Sequence, residues 1–204
     1  MQPHDQAGKE WQGDLEQEDQ LPPFGHAADP ECDGVAQDQA QHDRQRGKAE
    51  GAGKVFVTGF QTIPSIAQDF TRRLSIVRGS ARFLSPRDGG LVEWIPSFRR
   101  ADEARCLVMV DMAPLAREAL PILQTARRLG MAVVVVTDEL NTWAAPETPF
   151  VFHVTTKVDA FLESTGPMTT LMNVIIHAVA GKSPDQARKR IKDWPPIMRG
   201  LDLY

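Results

Sequence analysis

From Lys54 onward, apolar residues follow two alternating rhythms: continuous runs of strand length, and longer stretches with apolar residues three and four apart. Val55, Phe56 and Val57 run into Gly59, and the loop Phe60–Ser65 opens a predicted helix whose apolar positions include Ile66, Ala67, Phe70 and Leu74. A second strand is predicted over Ala81–Leu84. It is broken by Ser85-Pro86-Arg87-Asp88-Gly89-Gly90 and followed by a short apolar piece at Leu91–Ile95. The third strand reads Cys106–Val110. A helix is predicted over Leu115–Leu129, with Leu120, Leu123 and Ala126 on one side and Gly130 as its stop. Ala132–Val136 is uninterrupted and β-branched, the mark of a strand covered on both faces. Asp138–Ala145 reads as a loop or short helix, Phe150–Val154 as a fifth strand and Met168–Ala180 as a closing helix.

Strands separated by helices predict an α/β fold with a doubly wound parallel sheet and helices on both faces, because parallel neighbours need crossover connections. Such sheets bind ligands beyond the carboxyl ends of their strands, where helix N-termini favour anions. The turn from Gly59 to Ser65 is therefore the first place to look for a site.

Composition divides the chain near Gly51–Gly53. Before Lys54, acidic side chains outnumber basic ones 12 to 4; from Lys54 onward, the balance is 15 to 19. The first segment has nine glutamines, Trp11 and Phe24 as its only aromatics, and no sustained periodicity. It cannot bury enough apolar area to offset its chain entropy, so residues 1–53 are expected to be a disordered, acidic tract. His4, His26 and His42 are too widely spaced to suggest a metal site with Cys32, and no metal or cofactor is expected. Cys106 lies in an apolar run and reads as a packing residue. No run reaches the roughly 20 apolar residues of a membrane span, and no secretory signal pattern opens the chain. A cytoplasmic protein without membrane association is expected.

The order of elements, with the strings Val55-Phe56-Val57-Thr58-Gly59, Ala67-Gln68-Asp69-Phe70, Arg73-Leu74, Ala126-Arg127-Arg128-Leu129-Gly130, Val133–Asp138 and Phe161-Leu162-Glu163-Ser164, resembles the sugar isomerase (SIS) domain of RpiR/MurR-type bacterial transcription regulators. The resemblance covers about residues 54–181 and leaves 182–204 as a C-terminal helix or tail. It implies a flavodoxin-like five-stranded sheet of order 2-1-3-4-5, a homodimer, and a sugar-phosphate effector at the ends of strands one and three. The positions it marks for ligand binding are Gly59, Gln61, Thr62, Asp111 and Met112, with Thr155 and Thr156 after strand five on the same edge. Lys157 follows them as a cation able to balance a ligand's charge.

Several departures from the family pattern change the chemistry. The family's Gly-x-Gly-x-Ser after strand one is here Gly59-Phe60-Gln61-Thr62-Ile63, so the second glycine and the serine are lost. The hydroxyl-rich Ser-x-Ser-Gly-x-Thr after strand three is Asp111-Met112-Ala113-Pro114-Leu115-Ala116. A hydrogen bond to a charged group is worth about 1.5–3 kcal/mol, so losing three such donors removes most of the roughly 8 kcal/mol of a micromolar ligand. A carboxylate at Asp111 adds repulsion. What survives is a neutral or cationic ligand whose hydroxyl or amine Asp111 accepts, or a site reduced to structure, with Asp111 capping the following helix. Thr62 suits either ligand contact or a helix cap, and Ser65 a first-turn role. His177, on an apolar helix face, reads as a core or dimer-contact histidine, and His153 in strand five likewise as structural.

The expected function is carbohydrate-derivative binding by the effector-sensing and dimerisation part of an RpiR-like regulator with a degenerate phosphate site. The alternatives are a sugar-phosphate isomerase, whose base would be Glu118 or Glu163, and a ligand-free dimerisation module. The first segment matches no helix-turn-helix pattern and carries the wrong charge for a phosphate backbone, so no DNA binding by this chain alone is expected. Two explanations of this segment are open, an altered start or reading frame and a stand-alone sensor that pairs with something else, and the abrupt break in composition at Gly53 favours the first. Arg188-Lys189-Arg190 and Lys192 read as a solvated helix face.

Overall fold

The computed structural model describes residues 53–94 and 104–201; the expectations for the acidic N-terminal tract lie outside them. Five strands, β1 (Lys54–Gly59), β2 (Ala81–Phe83), β3 (Arg105–Val110), β4 (Ala132–Asp138) and β5 (Phe150–Val154), form one sheet of order β2-β1-β3-β4-β5. Every pairing is parallel. Val57 stands level with Phe83 and Val108, Val108 with Val134, and Val136 with Phe152. Among the described residues four α-helices connect or follow the strands, α1 (Pro64–Val77), α2 (Ala119–Arg128), α3 (Gly166–Lys182) and α4 (Pro184–Gly200), with short 3-10 turns at Pro86–Asp88 and Gly90–Trp94 after β2.

The period of two along each strand sorts its side chains into two cores. Phe56, Leu107, Met109, Val133 and Val135 pack with Leu123 and Ala126 of α2. Val55, Val57, Cys106, Val108, Val110 and Val136 pack with Phe70 and Leu74 of α1 and Met168 and Met172 of α3. The sheet is therefore doubly wound, as its sequence predicts. Gly59 ends β1 because α1 crosses too close for a side chain: a Cβ there would stand 2.8 Å from the Ala67 Cβ and 3.0 Å from the Pro64 Cα.

The helix expected over Leu115–Leu129 starts later, at Ala119. Pro121 is the physical reason. In a helix beginning at Leu115 its ring would press on the Arg117 carbonyl and one backbone hydrogen bond would be lost, whereas in a helix beginning at Ala119 it sits in the first turn, where no N–H is required. The stretch from Met112 to Glu118 is irregular, and the Ala113 amide donates to Asp138 Oδ2 at 2.6 Å. Pro114 lies in this irregular stretch, outside α2. The closing helix also runs further than expected in both directions, and α4 follows it after Ser183 alone.

Candidate functional site

A crevice of about 210 Å³ opens at the carboxyl edge of β1 and β2. Gly59, Gln61, Pro64 and Gln68 line it from the first βα turn and α1, Ser85 and Arg87 from the turn after β2, and Glu118 from the entrance to α2. The turn at Ser85 is locally determined, since its hydroxyl accepts the Arg87 amide at 3.3 Å and Gly89 closes the turn at φ +69°. Arg87 faces Glu118 across the crevice at 3.6 Å, and both side chains reach solvent. Such an exposed pair contributes little to stability and is easily opened by a ligand that offers better partners. Gln61 holds a left-handed backbone, φ +51°, at the position of the family's second glycine.

The other expected site residues are distributed around this crevice. Thr62 is exposed and outside its lining, and Ile63, at the family's serine position, is 2% exposed and part of the core. Met112 is half-buried against the α1–α3 side. Asp111 is fully buried, and neither of its carboxylate oxygens has a hydrogen-bond partner. Burial pushes its pKa up to about 6. The amides of Ala116 and Met112 lean toward it and oppose the shift without completing hydrogen bonds of good geometry, while the carboxylates of Asp138 and Glu118 add to it. Asp111 does not cap α2, whose N-cap position belongs to Glu118. The hydroxyls of Thr58 and Thr137, also buried at the ends of their strands, are likewise unpaired.

Thr155 and Thr156 stand at a different part of the same edge. Sheet order places β3 and β4 between β1 and β5, a span of about 14 Å at the usual interstrand spacing. Thr155 is exposed; Thr156 is buried, and its amide and hydroxyl both donate to Glu139 Oε2, at 2.9 and 3.4 Å. The Lys157 amide donates to the other oxygen at 3.3 Å, and these donors, the Thr156 amide foremost, hold Glu139 below the usual carboxylate pKa. Thr156 thus ties the loops after β4 and β5 together. His153 Nε2 lies 3.2 Å from the Asn141 carbonyl oxygen, and His177 is exposed instead of buried in the core, because α3 turns that face away from the sheet.

Arg87, Ser85 and Gln68 escaped sequence reasoning. The usable signal was the Ser85–Gly90 turn itself, which follows a strand and so must lie on the ligand-binding edge of a parallel sheet. Among the described residues no cluster of His, Cys, Asp or Glu could hold a metal ion, and no helix is long and apolar enough to cross a membrane.

An all-parallel sheet of this order, wrapped on both faces and opened by a crevice beside its first strand, is the sugar isomerase (SIS) fold. The chain is similar in structure to the sugar isomerase domain of an RpiR transcription factor from Sphaerobacter thermophilus, with 16% identity, a TM-score of 0.62, and 76% of this chain and 84% of that one covered. It is also similar to the Vibrio vulnificus NanR protein complexed with ManNAc-6P, at 12% identity and a TM-score of 0.63 over 81% of this chain and 64% of that one. A third likeness is to a protein from Bacteroides fragilis described as a putative phosphosugar isomerase involved in capsule formation, at 19% identity and a TM-score of 0.54 over 79% of this chain and 86% of that one. No protein-family model matches the sequence, and no curated protein matches it.

Proposed function

We propose that this chain is the carbohydrate-derivative-binding, effector-sensing and dimerisation part of an RpiR-like transcription regulator, and that its phosphate site is degenerate. The ligand sits in the crevice between Gln61, Ser85, Arg87 and Glu118. The observation that carries this reading is the replacement of phosphate donors by other polar groups at the edge where the fold binds ligands. Ile63 is folded into the core, Asp111 places a buried carboxyl in the third-strand loop, and α2 begins only at Ala119, eight residues after Asp111. Carboxamides, a hydroxyl and an Arg–Glu pair suit the several hydroxyls, or the amine, of a monosaccharide-sized ligand.

Thermal-shift measurements with neutral sugars, amino sugars and sugar phosphates test the assignment. A ligand of the first two classes at 100 times its dissociation constant should stabilise the chain by about 2.7 kcal/mol. Arg87→Ala and Gln61→Ala should each weaken that response at least severalfold. Stabilisation by sugar phosphates alone, or by none of the three classes, refutes the proposal.

The isomerase reading rests on Glu118, which the fold brings to the crevice wall as a carboxylate able to move a proton. Arg87 is the other ionisable group lining the crevice among the described residues, so the second base that would favour catalysis is missing there. Turnover of a sugar phosphate that is abolished by Glu118→Gln would establish the enzyme and displace the sensor.

A further inference from the structure

The C-terminal helix α4 leaves the body of the molecule with its apolar face uncovered. Its first turns are anchored: Ala187 is 4% exposed, and the Arg190 guanidinium donates to the Ser75 and Ile76 carbonyls at 2.7 and 3.1 Å, at the end of α1. At 100° per residue, Ile191, Trp194, Ile197, Met198 and Leu201 continue the face that Ala187 begins, while Arg188, Lys189, Lys192 and Arg199 occupy the opposite one. Beyond Arg190 that face is poorly covered by the described residues: Ile191, Trp194, Ile197 and Leu201 are 45–63% exposed, and Met198 is half-buried. Pro195 and Pro196 also remove backbone hydrogen bonds from the turns they occupy. A helical arm of this length and composition needs a surface to pack on.

The same chain carries a surface that lacks a helix. On the α1–α3 side of the sheet, a groove of about 580 Å³ is floored by Val108, Val134 and Phe152 and walled by Leu74, Ile175 and Val179. Its lining is mainly apolar. Val134 and Phe152 remain partly or largely exposed in it, in a sheet whose parallel strands are normally covered on both faces. The helix α3 beside it is apolar nearly all round, yet Val174 is 59% exposed. Ser183 and Gln186, at the root of α4, also line the groove, so each copy presents its arm and its groove side by side.

We propose that two copies of this chain exchange arms across a two-fold axis beside the α4 root, each arm seating Trp194 and its neighbours in the partner copy's groove. One axis then satisfies both unpaired surfaces, and the basic face of each arm stays in water. A helix face about 16 Å long, taken around half the girth (about 16 Å) of a helix about 10 Å in diameter, covers roughly 250 Å²; with both surfaces of both seats counted, about 1,000 Å² is buried, the lower bound for a stable interface. The inference rests on the dimerisation part of the proposed function and gives it a surface.

Sedimentation velocity of the full chain across about 1–100 μM, with and without vesicles containing an anionic lipid, tests it. A dimer is expected whose dissociation constant rises at least about 100-fold in Trp194→Asp, as for loss of a central aromatic anchor from each of two seats. Ile175→Glu, in the groove wall, should do the same. Because Trp194 is solvent-facing in a single chain, its variant keeps the fold even if the groove variant does not. A dimer indifferent to Trp194→Asp overturns the arm exchange and leaves dimerisation intact, while a wild-type monomer throughout overturns both. Loss of dimer in Trp194→Asp but not in a folded Ile175→Glu overturns the groove seat. Vesicle binding by a monomer assigns the arm to a membrane surface instead. None of these outcomes depends on ligand binding in the crevice.

Discussion

Replacing Asp111 by asparagine should remove one branch of the pH dependence of stability. Its carboxyl is fully buried without a hydrogen-bond partner, and burial raises its pKa from the ordinary 3.8 to about 6. Between those values the folded protein binds a proton that the unfolded chain releases, so stability falls as pH rises through the interval and levels off above about pH 6. A rise of about two pH units corresponds to at most about 3 kcal/mol, of which about 1.5 kcal/mol is lost between about pH 4.5 and 6. Urea unfolding followed by tryptophan fluorescence, with buried Trp94 as reporter, gives the free energy at each pH. The difference between wild type and Asp111→Asn should change by about 2 kcal/mol in favour of the variant from about pH 4.5 to 6.5 and remain constant above. Comparing slopes avoids any fixed cost of the amide and cancels Glu139, whose lowered pKa gives a contribution of opposite sign in both proteins. A parallel pair of curves, or wild-type stability rising relative to the variant across that interval, refutes the assignment of Asp111 as a desolvated acid.

Other substitutions probe the local arguments. Gly59→Ala should cost about 1–3 kcal/mol in urea unfolding, because its Cβ meets α1 at Ala67 and Pro64 and the helix must move; a neutral result would show that α1 is not seated on β1. Gln61→Gly should stabilise by up to about 1 kcal/mol by relieving the left-handed backbone, and Gln61→Val should destabilise by a similar amount. Equal effects of the two would mean that the turn relaxes. Cys106, whose thiol burial pushes up to about 11, should resist alkylation at pH 8 in the folded protein and react on unfolding; prompt labelling of the native chain at Cys106 would place it at the surface. Pro121→Ala should extend hydrogen-exchange protection from Ala119 toward Leu115; protection that still begins at Ala119 would show that the Asp138–Ala113 contact, and not the proline, sets the start of α2.

Much of the fold was legible because its signals are local. The run Ala132–Val136 announces a strand buried on both faces, the spacing of Phe70 and Leu74 announces a helix with one packed side, and alternation of the two types dictates a parallel sheet. The change in composition at Gly51–Gly53 and the loss of hydroxyls around Asp111 and Ile63 are equally plain in the residues themselves. The start of α2 was legible too, in Pro121, but the apolar spacing of the surrounding residues masked it. Strand order came through family resemblance, since local pattern says which segments are strands and not which become neighbours.

Tertiary structure alone decided what meets at the edge of the sheet. Sheet order puts β3 and β4 between Gly59 and Thr156, and the turn after β2 brings Arg87 opposite Glu118, residues remote from each other in the chain. It also decided that Asp111 is desolvated, that Thr156 is occupied with Glu139, and that α4 runs past the body with its apolar face bare. Periodicity reports how each segment divides its own surface between water and protein. Which surfaces face one another, and so the pKa of a carboxyl or the lining of a crevice, depends on contacts between distant segments that exist only once the sheet has assembled.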